Sequence, residues 1–157
     1  MPTLPDDSAA ESDADRAQPG APRLFTVAQA NALLPYLRGA LSQAQAHLGA
    51  MRGCSEELAA LEAVGRAPGG GWILSADHRA ASARLAEQRA ACAQLLGAIG
   101  DHGCQVKDLT AGLCDFPALI DGEPVLLCWL AGEPAVAHYH GYLDGFRGRR
   151  PIPPGTP

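Results

Sequence analysis

Apolar residues fall into two rhythms along this chain, and the change between them divides it. From Leu34 they recur every three or four positions, through Leu37, Leu41, Ala44, Leu48 and Met51. After a slip they resume at Cys54, Leu58 and Leu61. Such spacing lays one apolar stripe along a helix, and its heptad-like alternation calls for a second helix as partner. The start is marked by Thr26-Val27-Ala28-Gln29, a capping box in which the hydroxyl accepts from the amide three residues on and the glutamine reaches back. Pro35 falls in the third turn, where it removes a hydrogen bond and crowds the preceding turn. The helix is therefore expected either to kink there or to stop and restart. Gly65 and the run Gly69-Gly70-Gly71 end it, and a return helix is predicted over 72–99, with Leu85, Cys92 and Ile99 seven apart.

Beyond Gly100 and Gly103 the period becomes two. Strands are predicted over 104–108, 112–120, 124–130 and 135–140, with Asp121-Gly122 as a type I′ hairpin turn and Gly132-Glu133-Pro134 as the next turn. The fold class is therefore α+β: a long antiparallel, coiled-coil-like helical hairpin followed by a small antiparallel meander of about four strands. One domain is expected over 23–152, with the hairpin over 26–100, the meander over 103–140 and an arginine-rich closing segment over 141–152. Residues 1–22 read as a disordered acidic tail and 153–157 as a flexible end.

Charge sharpens this division. Asp6, Asp7, Glu11, Asp13 and Asp15 against Arg16 give 1 − 5 = −4 of the formal net charge of −5, so the body is near neutral. Nucleic-acid binding needs a basic surface and is not expected. The chain lacks both a basic start followed by an apolar run and a stretch long enough to cross a bilayer. A cytoplasmic protein without a membrane partner is expected, with its five cysteines reduced. The sequence carries no CxxC pair, P-loop, nucleophile elbow or HExxH.

The densest chemistry lies in 103–152, which holds Cys104, Cys114, Cys128, His138, His140 and the sole lysine, Lys107. His138 and His140, on one strand face and near Cys114, Cys128, Asp115 and Glu133 in sequence, are the candidate zinc ligands. Register tests this set. The two-residue turn at Asp121-Gly122 places Asp115 opposite Cys128 and Cys114 opposite Trp129. A turn centred on Gly132-Glu133 then places Cys128 opposite Ala137 and Leu127 opposite His138. One face carries Cys114, Phe116, Val125, Leu127, Trp129, Val136, His138 and His140. The other carries Leu113, Asp115, Leu126, Cys128, Leu130, Ala137 and Tyr139. In that register Asp115 and Cys128 point away from both histidines, no zinc cage closes, and no cofactor is favoured. A slip of one residue would exchange the sets.

Arg147, Arg149 and Arg150 crowd the closing segment. They fit either a clamp on phosphate or carboxylate or pairing with local acids, and the second is preferred. Both sheet faces are rich in apolar groups while one hairpin covers one face, and the closing segment covers part of the remainder. The exposed rest predicts a homodimer.

The motifs Phe25-Thr26-x-x-Gln29-Ala30-Asn31-x-Leu33-Leu34-Pro35, Val106-Lys107-Asp108, Gly112-Leu113-x-Asp115-Phe116-Pro117, Leu127-Cys128-Trp129, Gly132-Glu133, His140, Gly145-Phe146 and Gly148-Arg149 resemble those of an uncharacterised bacterial family, the domain of unknown function numbered 2203. Glu is frequent in that family at the position of Gln29. His138 and Tyr139 depart from its Tyr-Trp-His pattern, and His140 matches. The resemblance implies no activity. It does mark Asp115, Glu133, His140 and Arg149 as polar residues that match in an apolar setting, and with Arg147 these are the ligand-binding candidates. The expected function is a self-associating interaction or scaffold protein without catalysis, with an unidentified protein partner as a further option. The alternative is a small-ligand- or metal-binding protein, even an enzyme, that uses Asp115, Glu133, His140 and Arg149. The two separate on whether those side chains converge or pair apart.

Overall fold

The computed structural model of the chain describes residues 22–65 and 75–157. The acidic tail, apart from Pro22, lies outside the described residues, as do Trp72 and the glycine run of the helical link. Helix α1 spans Val27–Val64 and opens on the expected capping box: the Gln29 amide donates to Thr26 Oγ1 at 3.1 Å, and the Thr26 amide to Gln29 Oε1 at 3.0 Å. It runs through Pro35 as one element, so the stop and restart offered by the sequence is not taken. Helix α2, Ala76–Asp101, starts at Ser75, whose hydroxyl accepts from the His78 amide. The Ser75 oxygen is the cap of this helix, and the predicted start at Trp72 lies outside the described residues.

The hairpin has two unlike halves. Near the sheet, Leu34, Leu37, Ala40, Leu41 and Ala44 of α1 are buried, with Cys92 and Ile99 of α2. Farther out, Leu48, Met51, Cys54, Leu58 and Leu61 are only half-buried against an alanine-rich stretch of α2 in which Ala81 is the one buried residue. The base is a core element, whereas the outer arm is two helices with little between them.

The sheet has five antiparallel strands in sequence order: β1 Gln105–Asp108, β2 Leu113–Ile120, β3 Glu123–Leu130, β4 His138–His140 and β5 Arg150–Pro151. The fifth lies in the closing segment, where no strand was expected. Asp121 at φ 53° and Gly122 at φ 81° form the predicted tight turn. The β2–β3 register is the expected one, Asp115 opposite Cys128 and Cys114 opposite Trp129. The inner face brings Cys114, Phe116, Ala118, Ile120, Val125, Leu127 and Trp129 into one core with Phe25, the base of α1 and Ile99. The Phe25 and Phe116 rings meet edge to face, centroids 5.3 Å apart.

The next register differs from expectation by one residue. Cys128 lies opposite His138, Leu127 opposite Tyr139 and Leu126 opposite His140. The link 131–137 is no tight turn. Val136 leaves the sheet for the core, and its amide donates to Asn31 Oδ1 of α1 at 2.9 Å. Arg38 Nη2 donates to the carbonyls of Glu133 and Pro134, and Trp129 Nε1 to the carbonyl of Glu133. Pro134 has no amide to offer a neighbouring strand. This detour toward α1 adds one residue before β4, and every later side chain changes face. His138 and His140 thus join Asp115 and Cys128 on the outer face, while Tyr139 turns inward against the core. The bare apolar area expected on that face is also largely absent: Pro117, Leu126 and Cys128 are buried, and Leu119 is exposed.

The chain end returns to the domain. The Ile152 amide donates to the Ala137 carbonyl at 3.0 Å, and the Val27 amide to the Pro157 carbonyl at 2.8 Å. Among the described residues no helix is long and apolar enough to cross a membrane.

Candidate functional site

Three adjacent strands deliver the buried chemistry. Asp115 comes from the middle of β2, Cys128 sits directly opposite on β3, and His140 ends β4. Their potential ligand atoms all lie within 4.8 Å of one another. The His140 and Asp115 side chains are 4% and 2% exposed, and Cys128 is wholly buried. His140 Nδ1–H donates to the Gly141 carbonyl at 2.8 Å, which directs Nε2 at the Asp115 carboxylate, 3.3 Å from each oxygen. Burial, and then the Asp115 charge, push the Cys128 thiol up to about 12.

A second group borders the first. Arg149 Nη2 donates to both Glu133 carboxylate oxygens, at 2.7 and 2.8 Å, and to His138 Nδ1 at 3.2 Å. The Leu130 amide adds a bond to Glu133 Oε2 at 2.8 Å. Burial alone would raise the Glu133 carboxyl, but the Leu130 amide and the Arg149 guanidinium overcome it and hold the group below its ordinary 4.5. Arg149 lies over the Phe146 ring at 4.8 Å, and its Nε is buried without a hydrogen-bond partner.

Placed against the sequence reading, Asp115 and His140 meet where the expected register had parted them. Glu133 and Arg149 pair with each other, and Arg147 is exposed and joins neither group. The two histidines share a face but not a partner, since His138 turns to Arg149 and His140 to Asp115. Cys128 is the residue that sequence reasoning set aside, and the sole signal for it was the one-residue ambiguity of β4. Cys114 packs on the opposite face. Both Cys104 and Cys114 are free thiols, and a hydrogen bond to Cys114 together with burial raises the Cys104 thiol above its usual range.

The arrangement does not suit nucleophilic catalysis. An activated cysteine needs one imidazole nitrogen facing sulfur while the other is oriented by a third group. Here Gly141 and Asp115 engage both nitrogens, and the sulfur is sealed from solvent. What the three strands build is a closed cradle of one nitrogen, one sulfur and a carboxylate.

Neither the curated proteins nor the solved structures contain a significant match to the chain. A family described as an uncharacterized conserved protein (DUF2203) matches residues 23–152, the hairpin and the whole sheet included. On that match the chain belongs to the family of domain of unknown function 2203.

Proposed function

We propose that this protein is a self-associating interaction protein, without catalysis, whose outer helical arm pairs with that of a second copy. The supporting observation is the half-buried seam of Leu48, Met51, Cys54, Leu58 and Leu61, which among the described residues lies against an alanine-rich helix. Among the described residues this two-helix arm has no third surface to complete its core, and a second arm supplies one as a four-helix bundle. The sealed Asp115, Cys128 and His140 argue on the same side, because no substrate reaches them. Light scattering on the purified chain at micromolar concentration should return twice the monomer mass, and a monomer under those conditions overturns the reading.

A second reading is favoured by the register of β4: the outer face of the sheet holds a small ligand. Asp115, Glu133, His140 and Arg149 stand there as two adjoining pairs instead of on opposite faces. A ligand of the folded state alone raises its melting temperature. A melt that no divalent cation, small anion or chelator moves would overturn this second reading.

A further inference from the structure

We infer that Asp115, Cys128 and His140 form a binding site for a single zinc-class divalent cation. The inference rests on the outer-face reading above and names its ligand. Three observations carry it.

The first is the distance between His140 Nε2 and the carboxylate. At 3.3 Å from both Asp115 oxygens it is longer than a charge-assisted hydrogen bond, which would close to about 2.8 Å. It does match an edge of a metal tetrahedron: bonds of about 2.0–2.2 Å to nitrogen and oxygen put two such ligands ~3.4 Å apart.

The second is the orientation of the ring. Nδ1–H is committed to the Gly141 carbonyl at 2.8 Å, so Nε2 is the nitrogen turned to the Asp115 carboxylate and the one free to act as a metal ligand. Nitrogen and carboxylate thus face each other in a buried site, the arrangement of two ligands about one cation. A backbone carbonyl fixing the far nitrogen is also how metal-bound histidines are usually oriented.

The third is the donor set. Cys128 Sγ lies within 4.8 Å of the other two ligand atoms, so a shift of about 1 Å brings it to bonding position. Magnesium and calcium call for six or more oxygens, whereas nitrogen, sulfur and one carboxylate suit a borderline ion such as zinc. Sulfur binds as thiolate, its proton leaving to solvent as the S–metal bond forms. Three protein ligands leave one position of a tetrahedron, which a water carried in with the ion would fill. Glu133 and Arg149 are not ligands here, since each is taken up by the other.

The test uses the full chain, made without a polyhistidine tag, stripped with chelator and titrated with cobalt(II), then zinc. One cobalt per chain should bind with the strong visible absorption of a four-coordinate ion and a thiolate-to-metal charge-transfer band in the near ultraviolet, and zinc should displace both. Cys128→Ser should keep the far-ultraviolet circular dichroism, lose the charge-transfer band and weaken zinc binding by about 100-fold or more. Cys54→Ser should leave binding and band intact. Asp115→Asn, a variant that keeps the sulfur, should retain the band at reduced affinity. Cobalt bound without the band, or a band that survives in Cys128→Ser, overturns this ligand set and leaves the outer-face reading standing. No uptake of either metal overturns the cation, and the outer-face reading falls with it only when small anions also leave the melt unmoved.

Discussion

Glu133 is held by neighbours of two kinds, a backbone amide and a guanidinium, and both favour its charged form. Its carboxyl is therefore depressed in the folded state. A depressed carboxyl adds stability that is fully present above the unfolded pKa and is lost as pH falls through the lower folded value. The loss should begin as pH drops past about 4.5, the ordinary value, and grow below it. Glu133→Gln should cost about 2 kcal/mol at neutral pH, the scale of a hydrogen bond to a charged group, and flatten the profile in that acid window. Chemical denaturation of both proteins at neutral pH and at pH about 3.5 measures the difference. That Glu133 and Arg149 were special was legible from their match to the family pattern as polar residues in an apolar setting. That they satisfy each other was not, because a partner 16 residues away is set by a loop path and not by a period.

Among the elements, the helices were the most readable. Thr26 and Gln29 announce the start of α1 locally, and a stripe of nine apolar positions from Leu34 to Leu61 leaves little freedom of phase. β2 and β3 were equally plain, since the Asp121-Gly122 turn fixes a register that eight residues on each side then obey. β4 has three residues and no tight turn before it, so nothing within its own sequence could choose between two registers. The choice is made by Asn31, which holds the Val136 amide, and by Arg38, which holds two carbonyls of the link. Asn31→Ala should leave that amide unpaired, cost about 1–3 kcal/mol and speed its hydrogen exchange. Because the link sets the facing of β4, the His140 ring resonances should shift in the same variant. An unchanged His140 would show that the register is held by other contacts.

The whole molecule combines a well-filled base with a thinly filled arm. The base gathers one core from α1, α2 and the inner sheet face, while among the described residues the outer half of the hairpin buries Ala81 and little else. The proposed pairing of two arms would make stability depend on concentration, since association favours the folded state by mass action. The melting midpoint of the wild type should rise as the protein is concentrated. Leu58→Glu, which places a charge in the open seam, should abolish that rise and give a monomeric mass while the helical circular dichroism persists. A concentration-dependent midpoint in the variant would place the contact elsewhere, for example at the exposed Tyr142, Leu143 and Phe146.

The sequence by itself determined the hairpin, its cap, the first tight turn and the inner sheet face, because each is written in local chemistry or in a repeated period. It named Asp115, Glu133, His140 and Arg149 as well, though not what they do for one another. Tertiary structure alone decided that Val136 would leave the sheet for Asn31. That contact, with those of Arg38 to the same link, accompanies a shift of β4 by one residue, and a period of two turns such a shift into a complete exchange of faces. The buried Asp115–Cys128–His140 cradle exists for that reason.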